Sequence, residues 1–412
     1  YRLIEVPLRT EKMVPLSEIE KASYPLAELL ARQEKGIPDL AVEDSTHYPS
    51  EKYSKSAHLF NFHSWAPLFI DANAYEFTPG ASLMSQNKLG TSETVLGYKW
   101  LLAEKTGQFY AGYSWKGWYP VFDFEWTGGK RASEYSLIQQ TKNSQGEVIS
   151  KDTTRQRFTW GENRGSFKIR LPLNLGKGAF NRYLQPEFQY HFSSYKRNEN
   201  TPEKFLDGNF HSLGTRLYFH QLLRKSYHDV FPNFGLILDG TYRYSPAGTL
   251  EPGDLKALQS ILYLPGIMKS HGMKFYGGIQ QTNNEGTISF SDVVKYARGW
   301  GRINTSSVFT ATADYKMPLF YPDWNAGRFA YLRRVKLALF GDYSLLKGNY
   351  YDHGKKTGSF EKDILSLGLE LSTDANFLRF YAPADIGFRA SYLPELDNVF
   401  FDFLVSIDFT AL

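Results

Sequence analysis

The chain has 412 residues, a formal net charge of +4 and no cysteine, and 16% of it is aromatic, with 28 Tyr, 31 Phe and 8 Trp. Lack of cysteine excludes a disulfide scaffold, a zinc-thiolate site and a cysteine nucleophile, and a nearly balanced charge spread along the chain speaks against a dedicated nucleic-acid binder. A mean hydropathy of −0.41 and the absence of any apolar run near ~18 residues exclude a helical membrane protein, whereas a membrane β-barrel, polar inside and ringed by aromatics, keeps such an average.

Residues 1–58 read as a periplasmic N-terminal segment or the end of an upstream domain. The chain starts at Tyr1 with no initiator Met and no secretory signal, so it is read as mature or truncated. Tyr1 to Thr10 alternates loosely, as a strand does. Ser17-Glu18-Ile19-Glu20 is a capping-box pattern that opens a short helix, which Pro25 bends and Gly36 ends. Residues 39–55 are polar linker, and residues 59–75 are expected to lead into a barrel spanning 76–412.

From about residue 74 onward the alternation has period two. Leu96, Tyr98, Trp100 and Leu102 share one parity, as do Phe109, Ala111, Tyr113 and Trp115, and Phe122, Phe124 and Trp126. Leu184, Pro186, Phe188, Tyr190 and Phe192 alternate with Gln185, Glu187, Gln189, His191 and Ser193. Phe401, Phe403, Val405, Ile407 and Phe409 alternate with Asp402, Ser406 and Asp408. A soluble sandwich alternates too, but here the apolar parity is heavily aromatic. The polar parity carries Asp123, Glu125, Glu187, Asp239, Arg243, Asp342 and Glu370, as a wet lumen does. The expected fold is all-β: a 16-stranded antiparallel transmembrane barrel with an inward-folded extracellular loop. Separate strands are expected near 157 and 168. Long connections fall at 130–152, 194–207, 246–256, 281–300 and 346–360, most of them expected on one side.

Tyr296-Ala297-Arg298-Gly299-Trp300-Gly301 closes a long loop just before a strand. Gly299 permits a tight turn, and Arg298 is a planar cation with five fixed donors. Then come Ala311-Thr312-Ala313-Asp314-Tyr315-Lys316-Met317-Pro318-Leu319 and Val335-Lys336-Leu337-Ala338-Leu339-Phe340-Gly341-Asp342-Tyr343. In the second of these, Val335, Leu337, Leu339 and Tyr343 share a parity, so Asp342 faces the lumen.

These pieces resemble the BamA/TamA superfamily of outer-membrane assembly barrels. That family carries an Arg-Gly-aromatic tip on its sixth extracellular loop, between strands eleven and twelve, where Arg298, Gly299 and Trp300 fall. Tyr315, Lys316, Pro318 and Leu319 match its next strand, and Phe340-Gly341-Asp342 matches the aromatic-x-Asp motif of its thirteenth. Ser366-Leu367-Gly368-Leu369-Glu370-Leu371 and the final Ile407-Asp408-Phe409 are also similar. The resemblance covers about 290–412 by motif and 74–290 by architecture. Alanine precedes Arg298 where the family has valine or isoleucine, and the chain ends in Leu412, leaving Phe409 as the aromatic of the C-terminal signal. A subset of similar barrels follows a TolB-like β-propeller, which would make residues 1–10 the end of such a domain.

The resemblance implies that Arg298 docks on Asp342, with Glu370 as second acceptor, since a loop folded into a lumen needs an anchor against its entropy. It also implies protein insertion or translocation through a seam between first and last strands, here near 76–88 and 399–409, with Phe403 and Phe409 on the last strand. Pro79 and Gly80 weaken pairing there, or mark an ordinary strand start. Implied partners are outer-membrane lipid and client or partner outer-membrane proteins and lipoproteins, with no nucleic acid.

An enzyme is not expected, nor a cofactor or metal. His58 and His63 lack a carboxylate at ligand spacing, Ser270-His271 lacks a triad partner, and Gly128-Gly129-Lys130 lacks the glycine spacing of a phosphate loop. Two alternatives to an assembly barrel stand: a non-transporting platform that anchors periplasmic or surface partner domains, and a diffusion pore.

Overall fold

A computed structural model of the chain describes residues 49, 52, 54 and 56–412, apart from 72–75, 143–147, 204, 284–287, 302, 304, 353–354, 379–382 and 408–412. The features expected within residues 1–48, and Phe409, lie outside the described residues. Among the described residues no helix is long and apolar enough to cross a membrane, and residues 55–412 form one compact unit.

That unit is a single antiparallel meander. Its strands are β1 (Phe62–Asp71), β2 (Glu76–Gln86), β3 (Ser92–Leu101), β4 (Thr106–Trp115), β5 (Val121–Lys142), β6 (Val148–Arg170), β7 (Leu173–Asn174), β8 (Phe180–Arg197), β9 (Gly208–Leu223), β10 (Gly235–Gly248), β11 (Asp254–Pro265), β12 (Gly272–Asn283), β13 (Ser307–Phe320), β14 (Trp324–Asn325), β15 (Ala330–Asp352), β16 (Lys355–Phe377), β17 (Ala384–Leu393) and β18 (Asn398–Ile407). β7 and β14 are two-residue pieces, leaving sixteen long strands. Each long strand pairs with its neighbours in chain order. No ladder joins β1 to β18 among the described residues, so these two are the ends of the sheet.

The sheet has the polarity of a membrane barrel. On β16, Leu365, Leu367, Leu369 and Leu371 are 37–46% exposed, while Ile364, Ser366 and Ser372 between them are 0–6% exposed. On the end strand β18, Phe401, Phe403 and Val405 are more exposed still, at 59–77%. Large apolar side chains outside and hydroxyls and charges inside are stable only if the outer face meets hydrocarbon. Leu367→Arg is therefore expected to destabilise the protein by roughly 2–4 kcal/mol near the bilayer midplane, read as a lower heat-unfolding midpoint in detergent or lipid. A neutral result would contradict a lipid-facing wall.

Two expectations are corrected. The supposed linker 59–75 contains β1, which pairs with β2 from Phe62↔Ser85 to Asp71↔Glu76. Register shifts between Phe62 and Ser64 and between Ala66 and Leu68 break its period-two pattern. Pro67, with no N–H to give, sits in the second irregularity. Second, the strands expected near 157 and 168 are one strand, β6. Its polar stretch 161–166 is held extended by β5 on one side and β8 on the other. One strand missed and one split leave the count of sixteen unchanged.

Pro79 and Gly80 accordingly lie inside β2, flanked by β1 and β3 rather than at a free edge. Gly80 has φ +156°, and a Cβ there would meet the Tyr98 carbonyl at 1.9 Å. Only glycine allows the two strands to approach this closely.

The long connections expected at 194–207, 246–256 and 281–300 all close on the same end of the meander. The stretches near 130–152 and 346–360 are hairpins of that end, built by the 22–23-residue strands β5, β6, β15 and β16. Residues 288–301 of the connection after β12 fold against the inner wall of the sheet. Phe290, Val294 and Ala297 from it pack with Leu255, Ala257, Val308, Leu346 and Ile364 from the inner wall.

Candidate functional site

The loop-wall site begins with main-chain geometry. Gln280 on β12 aims its amide into the loop: Val293 and Val294 donate their N–H groups to Oε1 at 2.7 and 3.2 Å, and Nε2 donates to Asp292 at 2.6 Å. Tyr296 donates its hydroxyl to Asp292 Oδ2 at 2.8 Å and to the Ile303 carbonyl at 3.0 Å. Ala297 N–H donates to Ser344 Oγ, itself bonded to Thr310, and Arg298 N–H donates to Asp342 Oδ2 at 3.0 Å. The loop backbone is thus positioned before the guanidinium is considered.

That guanidinium meets three strands. Nε donates to Asp342 Oδ2 at 2.7 Å and Nη2 to Asp342 Oδ1 at 2.6 Å, the bidentate fork of β15. Nη2 also reaches Asp314 Oδ1 on β13 at 2.6 Å, and Nη1 reaches Glu370 Oε1 on β16 at 3.1 Å. The cation stacks 3.7 Å above the Phe340 ring. Asp342 and Asp314 are almost wholly buried, so their charges depend on this cation. Lys274 approaches Asp314 at 3.4 Å and Arg389 binds Glu370 at 2.7 Å, extending the group from β12 to β17. A cavity of about 500 Å3 adjoins it, lined by Tyr218, Asp239, Tyr276, Lys295 and others.

Gly299 follows with φ +83°, and a Cβ there would sit 3.2 Å from Leu393 Cδ2 and 3.3 Å from Ser391 Cβ. Gly299→Val is expected to cost roughly 1–3 kcal/mol of backbone strain, checked as faster proteolysis of the loop at Lys295. Cleavage at the wild-type rate would mean the turn tolerates a side chain. Trp300 donates Nε1 to the Leu365 carbonyl at 3.3 Å, with Lys362 Nζ 4.2 Å over its ring.

Arg298, Gly299, Trp300, Asp342 and Glu370 therefore stand in one group. Pro79 and Gly80 stand apart from it on β2, and Phe403 faces outward on β18 against Phe388 at 5.2 Å. His63 hydrogen-bonds Ser64, and His271 hydrogen-bonds the Tyr315 hydroxyl at 2.7 Å. Sequence reasoning missed Asp314, whose inward parity sits beside the Tyr315-Lys316 motif, and also Arg389; it placed Phe340 in a motif without its stacking on Arg298.

It also missed a second buried charge cluster at the opposite end. Arg334 donates Nε and Nη2 to Asp374 at 2.8 and 2.5 Å, and Lys336 bridges Asp374 and Asp385 at 2.5 and 2.7 Å. Arg334 Nη1 also donates to the carbonyls of His228 and Asp229 at 3.0 and 3.1 Å. The β9–β10 turn is thereby held to β15, and Tyr321 adds a hydroxyl to the His228 carbonyl.

No family model and no curated protein matches the chain. Among solved structures the chain is similar to CdiB from Escherichia coli at 12% identity and TM-score 0.48, covering 80% of this chain and 59% of that one. It is similar to BamA from Haemophilus ducreyi lacking POTRA domains 1–3, at 13% identity and TM-score 0.46, covering 80% and 67%. CdiB from Acinetobacter baumannii aligns at 10% identity and TM-score 0.42, covering 80% and 57%. The chain thus spans about three fifths of the length of the CdiB structures.

Proposed function

We propose that this barrel inserts or translocates other proteins at the bacterial outer membrane, in the manner of BamA/TamA-type barrels. The loop end is extracellular and the N-terminus periplasmic. Clients and partner lipoproteins engage the seam between the two end strands, β1 and β18. Unpaired N–H and C=O groups on such edges template an incoming strand. The lumen loop stays anchored by Arg298 while the wall beside the seam moves. The observation that carries this reading is the Arg298 fork on Asp342 within a loop that packs a dry core against the inner wall. That core fills lumen which a diffusion pore keeps open.

Depletion in the native host is the test. A fall in the levels of other outer-membrane barrels is expected. Unchanged barrels with loss of a single surface complex would favour an anchoring platform instead. Large, stable currents from purified protein in planar bilayers would favour a pore.

A further inference from the structure

The barrel wall is not of even height. β1 to β4, β17 and β18 have 10–11 residues, about what a tilted membrane strand needs. β5 and β6 have 22 and 23, so roughly ten residues of each, ~30 Å, rise beyond the bilayer on the loop side. β4 pairs with β5 only from Trp115↔Phe122 to Gln108↔Gly129. Above Gly129, β5 continues to pair with β6 but has no strand on its other side among the described residues.

The foot of this free edge is capped. Glu104, in the β3–β4 turn, accepts the Ala132 N–H at 2.9 Å and a fork from Arg131 at 2.6–3.0 Å. The Arg131 hydrogen bonds hold the Glu104 carboxyl below its usual range. The cap thus stands at neutral pH and is lost only as pH falls through that lowered value. The foot of the β6 edge is capped in turn by Asn200, which accepts the Thr159 N–H. Above the caps the edges differ in chemistry. β6 carries Lys151, Asp152, Arg155 and Arg157, and the corresponding free edge of β16 carries Lys355, Lys356, Glu361, Lys362 and Asp363. Such charges deter strand pairing. On β5, residues 133–141 contain one charge, Glu134, with no Pro and no Gly, the composition of a segment that accepts another strand.

We infer that the upper edge of β5, residues 133–141, is a docking edge for an extended, charge-poor strand of a partner polypeptide on the extracellular side. The inference rests on the orientation and assembly reading proposed above, and it names where a client strand is held after it reaches the surface. Backbone direction sets its chemistry. Because the Ala132 N–H points to the β4 side, alternation in an antiparallel ladder turns the N–H and C=O groups of Glu134, Ser136, Ile138 and Gln140 the same way. The β4 side of β5 faces the β1 end of the sheet, the side from which a strand leaving the seam arrives.

Proline separates this edge from the ribbon that bears it. Ser136→Pro and Ile138→Pro each remove a donor from the free edge and leave the β5–β6 ladder intact, whereas Leu137→Pro strikes the ladder. The probe is a labelled synthetic peptide of alternating Thr and Val, an uncharged strand former, titrated against the purified barrel. Saturable binding is expected, weakened at least ~10-fold in the Ser136→Pro/Ile138→Pro variant at an unchanged heat-unfolding midpoint. No saturable binding, or equal binding to the double variant, overturns the inference. Self-association of the barrel that the proline variant abolishes also overturns it, by making the occupant a second copy. Loss of peptide binding with intact client assembly on complementation sinks this edge alone, whereas intact peptide binding without any effect of depletion sinks the assembly reading.

Discussion

Replacing Arg298 with alanine is expected to release the lumen loop and lower stability by roughly 3–5 kcal/mol, the scale for stripping one partner from a buried ion pair. The loss is not shared equally. Asp314 keeps Lys274 at 3.4 Å and Glu370 keeps Arg389 at 2.7 Å. Asp342, with its side chain 1% exposed, keeps only the N–H of residue 298. The cost therefore concentrates there, and Arg298→Ala with Asp342→Asn is expected to recover part of it, because the uncompensated charge goes too. Lysine in place of arginine retains the charge but not the fork, so it should fall between. Heat-unfolding midpoints and tryptic cleavage after Lys295 read both effects. An Arg298→Ala loop as resistant as wild type, or a double variant no better than the single, would refute the anchor.

The second large effect is expected at Asp374, which no motif singles out. Asp374→Ala strands Arg334 and Lys336, whose side chains are each 5% exposed. Lys336 retains Asp385 at 2.7 Å, but Arg334 is left with two main-chain carbonyls and no carboxylate. The expected cost is again roughly 3–5 kcal/mol, with new proteolysis at Arg224 and Lys225 as the β9–β10 turn loosens. Asp385→Ala should cost less, since Asp385 is 28% exposed and leaves Asp374 in place. The order of the two unfolding midpoints tests this ranking, and a milder Asp374→Ala would reverse it.

Period-two alternation was enough to read most strands, the lumenal parity of Asp342 and Glu370, and the loop that carries Arg298, because each depends on neighbours along one strand. The approximate count of sixteen followed from the same signal. It failed where alternation is broken locally. The irregularities around Pro67 hid β1, so the first strand was expected around Pro79 and Gly80, whereas the end strand of the sheet is Phe62–Asp71. The Gly-rich polar stretch of β6 resembles a turn in isolation, yet ladders on both sides keep it extended.

What the sequence by itself determined is therefore the class of wall, polar within and apolar without, together with the residue types at the loop tip. Only the tertiary structure added Asp314 to the Asp342 and Glu370 that the resemblance implied for Arg298, and decided that Arg389 and Lys274 share these carboxylates and that Arg334 ties a distant turn to Asp374. The reason is physical: those contacts join residues 16 to 106 positions apart in the chain, and their distances are set by register and by how the sheet curls, neither of which is written in any single strand.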